Sequence, residues 1–251
     1  MDDLTLMSIA VAAAAAFLAG AIKGAVGFAM PMVMMSALAI LFDPKIALAL
    51  LIFPTMASNL SQSLRQGYAP ARDAVKEFAP FMVVGGLCLI ATAQLVTALP
   101  TDTMILVIGV FVVCFAAFQL SGWQFKLSGP SKMSQALFGV VAGSVGGLSG
   151  IWGPPTVAYL TAINTPKVKQ MQVQGVIYGL GSVALLVGHI GSGLVTMQTV
   201  PLSVALILPA LLGITLGYKV SDRVDQASFR KMTLIVLLVS GLNLIRRGLM
   251  G

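Results

Sequence analysis

Apolar residues run along this chain in blocks separated by short clusters of charge, glycine and proline. Ten blocks can be drawn: 4–22, 24–42, 46–64, 78–99 and 103–122 in the first half, and 135–147, 151–163, 168–190, 200–218 and 229–245 in the second. None alternates polar and apolar residues as the strands of a membrane barrel would, so each predicts a helix. Most reach the ~20 residues that a bilayer crossing needs. Two do not: at 135–147 and 151–163 the blocks are thirteen residues long. With a rise of ~1.5 Å per residue these reach about the middle of a bilayer, as half-helices or the legs of a re-entrant hairpin. Around their junction runs GSVGGLSGIWGPP, residues 143–155. Glycine and proline weaken helices, so this stretch predicts a broken backbone, which lipid tolerates only where it is buried in protein or lines a cavity. The expected binding site is that cavity.

The two halves repeat. Gly20, Gly24, Gly27 and Pro31 recur 123 positions later as Gly143, Gly147, Gly150 and Pro154, and Asp43, Pro44 and Lys45 are echoed 122 positions on by Thr165, Pro166 and Lys167. This predicts two transmembrane repeats, residues 1–125 and 126–251. Loop charges orient them. The loop after the third block carries Arg65, Arg72 and Lys76, whereas its counterpart at 191–199 carries no basic residue; the next pair, 100–102 and 219–231, reverses the order. By the positive-inside rule matching loops then lie on opposite sides of the membrane, the mark of an inverted-topology repeat. Lys126 with Lys132, and Lys167 with Lys169, fall inside as this requires; Arg246 and Arg247 would end outside and count against it.

Composition narrows the class. Of 251 residues, 58% are hydrophobic and 9% charged, against roughly 25% charged in a soluble domain, which points to an all-α, multi-pass integral membrane protein in contact with lipid. The net charge of +7 is explained by basic loops, and nucleic acid is not an expected partner. Residues 4–22 read as a membrane segment and not a signal peptide, because Asp2 and Asp3 stand where basic residues are expected. All eight carboxylates lie near block ends or in loops, so none is placed to carry a proton or cation through the membrane. One His and two separated Cys offer no metal set, and neither a metal nor another cofactor is expected. An intramembrane enzyme would need a nucleophile and base at depth; Ser149 with His189 is the one pair that can be suggested, and no enzymatic activity is expected.

An anion fits what remains. A helix that restarts at the midplane turns unpaired amides and a dipole equivalent to roughly +0.5 charge toward the cavity. Two restarts, after Gly27 and after Gly150, would face each other across a pseudo-twofold axis, with Gly24, Gly27, Gly147, Gly150 and Gly153 letting an anion approach the backbone. Pro31 and Pro154 open the restarted helices. Lys23 supplies a full charge beside the first break, unless it sits at a cytoplasmic hairpin tip between two full spans. Phe28, Trp152 and Ser149 lie within the glycine turns, where the two rings wall the site or simply pack. Ser58, Asn59, Ser61 and Gln62 on the third block, and Gln170, Gln172, Gln174 and Tyr178 on its counterpart, line the cavity or join helices, the commoner use of such residues. Asn59, Gln174 and Tyr178 are taken as candidate ligands. His189 is a candidate proton carrier, although a lone histidine near the end of a span is more often interfacial. Trp123 reads as an interface anchor.

At GAIKGAVGFAMP (20–31) and GLSGIWGPP (147–155) the chain resembles the sulfite exporter TauE/SafE family, also called the toluene sulfonate uptake permease family. The resemblance covers essentially the whole chain in length, duplication and hydropathy. It implies a bacterial inner-membrane carrier of about eight spans for sulfite, sulfonates such as sulfoacetate, or related small anions. Lys23 is no part of what the resemblance implies. Together these readings predict a secondary transporter, an exporter, of small sulfur oxyanions working by alternating access. A passive anion channel is the alternative, and self-association into a homo-oligomer is left open.

Overall fold

A computed structural model describes residues 6–122, 127–221, 223 and 225–250. Asp2, Asp3, Trp123, Lys126 and Asp222 lie outside the described residues. The helices described are α1 (Leu6–Val26), α2 (Met30–Leu41), α3 (Pro44–Leu64), α4 (Tyr68–Glu77), α5 (Ala79–Ala93), α6 (Thr101–Leu120), α7 (Lys132–Ser149), α8 (Gly153–Ala162), α9 (Lys167–Gly191), α10 (Val200–Ala205), α11 (Ile207–Ser221) and α12 (Gln226–Met250). No strand occurs among the described residues.

Among the described residues four stretches are long and apolar enough to cross a bilayer: Leu6–Ala25, Pro44–Leu64, Lys169–Gly191 and Val200–Val220. The pair Tyr68–Glu77 and Ala79–Ala93, bent by 78°, makes a fifth if it is one span. α4 lies where the apolar pattern left a loop. It is a charged, surface-lying helix that buries only Ala71 and Ala74.

The first break falls at Gly27, the position expected for the restart, and not at the division between blocks at Lys23. α1 runs unbroken past Lys23 and Gly24 and stops at Gly27, whose φ of 81° lies in the left-handed region and whose amide donates to the Lys23 carbonyl at 2.7 Å. Lys23 is therefore inside a helix and not at a hairpin tip. After the break α2 is only 12 residues long, so the block expected at 24–42 does not span. The second half does the same. α7 is longer than the thirteen residues expected, starting at Lys132 under a Ser131–Ser134 capping box and ending at Gly150, φ 70°, whose amide donates to Gly146 at 2.7 Å. The ten-residue α8 follows. A long helix, a left-handed glycine and a short helix opened by proline thus occur twice, at matching positions.

Packing follows a twofold pattern. α1 packs on α11 as α7 packs on α5; α11 lies along α3 as α5 lies along α9; α10 docks on α3 as α4 docks on α9; α3 crosses α9, and α6 pairs with α12. Exchanging α1–α6 for α7–α12 in order maps these pairings onto themselves. Small residues make the two tightest contacts. Gly20 and Gly24 lie against the α11 backbone at Ala210 and Ile214, and Gly143 and Gly147 against the α5 backbone at Gly85 and Leu89, so close that an added Cβ would overlap the facing chain. In lipid, where helices gain little from apolar burial, such backbone approach is a main source of association.

Pro54 interrupts α3. A proline has no N–H for the carbonyl four residues back, which here is Leu50, and the buried Ser203 hydroxyl of α10 donates to that carbonyl at 2.8 Å. At the end of α12, Arg247 donates to the Ala39 carbonyl in the last turn of α2, a favourable place for a cation at a helix C-terminus. Its position is thus accounted for by a contact with α2.

Candidate functional site

The two breaks meet. A small cavity is lined by Lys23 from α1, by Phe28, Ala29, Pro31 and Met32 around the start of α2, by Ile151, Trp152 and Gly153 around the start of α8, and by Asn59 and Tyr178 from the crossing helices α3 and α9. Its walls are mostly apolar, and Lys23 is the lining residue that can carry a positive charge.

Lys23 is 2% exposed. Its ammonium donates to the Ser58 hydroxyl at 3.0 Å and to Asn59 Oδ1. Both acceptors are neutral, and the described carboxylates, Asp43, Asp73, Glu77, Asp102 and Asp225, are all exposed. Lys23 lies in the last turn of α1, where burial strips its ammonium of water at a cost that only a partner offsets, and no countercharge does so among the described residues. Asn59 is held in turn by its amide, which donates to the Tyr178 carbonyl at 3.1 Å, and Ser58 donates to Thr55 O at 2.9 Å. The lysine is therefore aimed by α3, which is itself fixed against α9.

The second break contributes rings and amides. Gly146 occupies the position equivalent to Lys23, and a Cβ there would stand 3.0 Å from Trp152 Cβ; the missing side chain makes room for the indole. Trp152 meets Tyr178 edge-on at 6.4 Å between ring centres. The Tyr178 hydroxyl donates to the Gly153 carbonyl at 3.3 Å. Trp152 Nε1 is buried without an acceptor. Phe28 packs edge-on against Phe115 of α6, 6.0 Å away.

Other expected site residues lie elsewhere. Gly24 and Gly147 face α11 and α5 as helix contacts. Gly27 and Gly150 shape the breaks without lining the cavity, and Pro154 is buried in the first turn of α8. Ser149 serves the backbone: its hydroxyl donates to Val145 O at 2.7 Å and accepts from the Ile151 amide at 3.1 Å. Its proton is thus not offered to His189. Gln174 lies behind the first break, with Oε1 3.1 Å from where a Gly27 Cβ would be; there Gln62 donates to the Gly27 carbonyl at 3.0 Å. His189 is fully buried in the last turn of α9, with Nδ1 3.4 Å from Ser192 Oγ. Eleven residues beyond Tyr178 on one helix, it is about 16 Å from the cavity.

The sequence pattern missed Ala29, Met32 and Ile151 as lining residues, though each adjoins a break. Ala29 carries a signal only coordinates reveal. Its φ of 79° is left-handed without being glycine, a strained conformation that gathers at functional sites.

The family model described as sulfite exporter TauE/SafE matches residues 12–244. The chain belongs to the sulfite exporter TauE/SafE family. Comparison with curated proteins and with solved structures gives no match. Membership agrees with the apolar helices in making this a multi-pass membrane protein of a transporter family. The match spans both breaks and every residue of the Lys23 cavity.

Proposed function

We propose that this TauE/SafE protein is a secondary carrier that exports a small sulfur-containing oxyanion, sulfite or an organosulfonate, across a bacterial inner membrane. The observation that carries the reading is the Lys23 ammonium, buried with neutral partners in a cavity that the first turns of two short helices also line. An oxyanion supplies the countercharge the lysine lacks, and amides at the starts of α2 and α8 add to the positive field. Asn59 and Ser58 aim the charge; Trp152, Tyr178 and Phe28 wall the anion from lipid.

Residues 1–125 and 126–251 are read as two inverted repeats that rock about this site in alternating access. The self-matching helix pairings, the paired left-handed glycines and the loop charges support that architecture. With an interior-negative potential, export of a monoanion is favoured by ~2.3 kcal/mol per 100 mV, so a uniporter suffices and no carboxylate relay is required.

The test is flux in liposomes, with sulfite, thiosulfate, sulfoacetate, taurine and sulfate as probes. A carrier gives saturable uptake and counterflow for at least one of them. Non-saturating conductance contradicts it and makes the protein a channel.

A further inference from the structure

A second, larger cavity opens on another side of Trp152, between α5, α7 and α9. Phe81, Gly86, Ala142, Ile177 and Gly181 are among its walls, and no lining side chain carries a charge or an oxygen atom. Gly85 and Gly143 are explained by the contact of α5 with α7: a Cβ on Gly143 would overlap the Gly85 backbone, and one on Gly85 would stand 3.2 Å from the Gly139 carbonyl. Gly86 is not: a Cβ there would meet nothing within 4 Å. Its lack of a side chain leaves space that helix packing does not demand.

The mouth is flanked by exposed apolar residues. Val83 and Leu87 flank Gly86 on α5 and are 60% and 65% exposed; Leu180 of α9, itself a lining residue, is 47% exposed, and Val183 beside it is exposed as well. Gly86 lies midway along Ala79–Ala93 and Gly181 midway along Lys167–Gly191. At that depth a bilayer offers hydrocarbon and neither head groups nor water.

We propose that this cavity takes the acyl chain of a bilayer lipid, which enters between α5 and α9 and packs against Trp152. Lipid then touches the wall of the Lys23 cavity from outside, and chain packing bears on the indole that bounds the site. The inference stands on the shape, lining and depth of the second cavity and does not depend on what Lys23 binds.

The chain contains two tryptophans, so Trp123→Phe leaves Trp152 as the one indole reporter. This protein is reconstituted in phosphatidylcholine vesicles brominated at mid-chain or close to the carboxyl end of the acyl chains. Mid-chain bromine is expected to cause the larger loss of Trp152 emission, although the residue is only 4% exposed, and Gly86→Leu, which fills the cavity, is expected to restore it. Unchanged emission in both kinds of vesicle overturns the proposal. So does mid-chain quenching that Gly86→Leu leaves in place, which would mean quenching from the general lipid surface. If Gly86→Leu does not fold, Gly86→Ala, whose added methyl meets nothing within 4 Å, takes its place and is expected to reduce the mid-chain quenching. Cross-linking of Gly86→Cys copies to each other, with no effect of bromine, assigns the face to a second copy of the chain and also overturns it.

Discussion

Lys23 reaches a neutral hydroxyl and a neutral amide oxygen at the end of a fully buried side chain, which separates its contribution to stability from its contribution to binding. Lys23→Met removes the desolvation cost of a buried charge but leaves Asn59 Oδ1 without its donor, a cost of about 1–3 kcal/mol. The two oppose each other, so Lys23→Met is expected to change the thermal midpoint in detergent little while weakening anion binding. Loss of a charged hydrogen bond, about 1.5–3 kcal/mol, corresponds to roughly 10- to 100-fold in affinity. A midpoint that falls by many degrees would mean that the ammonium is structural. Ala29 supplies the opposite case. Left-handed φ costs a non-glycine residue about 1–2 kcal/mol, so Ala29→Gly should raise stability or leave it unchanged, and a clear fall in the thermal midpoint would show that the strain is not there. Neither effect is visible in the residue types: an alanine before Met30 looks like any helix residue, and Lys23 between two apolar blocks looks like a hairpin tip.

At the scale of the helix, the glycine pattern mixes two jobs that a sequence does not separate. Gly20, Gly24, Gly143 and Gly147 allow helices to touch, whereas Gly27 and Gly150 turn the chain. Gly143→Ala is expected to cost about 1–3 kcal/mol through overpacking against Gly85, measurable as a lower unfolding midpoint, with Gly20→Ala behaving alike against Ala210. If the two substitutions differ in kind, one destabilising and one silent, the equivalence of the two packing faces is wrong. Ser203 makes a separate prediction. Its hydroxyl satisfies the carbonyl that Pro54 frees, so Ser203→Ala should cost about 1–3 kcal/mol in the same assay. The spacing GxxxGxxGxxxP announced where both halves break in relation to their prolines, because turn and packing glycines keep a fixed offset. It did not announce that α1 continues through Lys23, since nothing in one charged residue distinguishes a buried lysine from a loop lysine. The polar residues of the third block were likewise recognisable as a set. Only the crossing of α3 with α9 sorts Asn59, which lines the cavity, from Gln62, which holds the end of α1.

For the whole molecule, the proposed inverted arrangement predicts that a cysteine placed in 191–199 reacts with a membrane-impermeant reagent from outside, and one in 65–77 only from inside. Cytoplasmic labelling at 191–199 would refute it. The claim on which the account turns is narrower: an anion binds between the two breaks, on Lys23. Titration of the purified protein with sulfite, thiosulfate, sulfoacetate, taurine and sulfate, wild type beside Lys23→Met, tests it most directly. Wild type is expected to bind at least one of these anions saturably, and a Lys23→Met protein that remains folded is expected to lose that binding or show it markedly weakened. Equal affinity in the two proteins would contradict it.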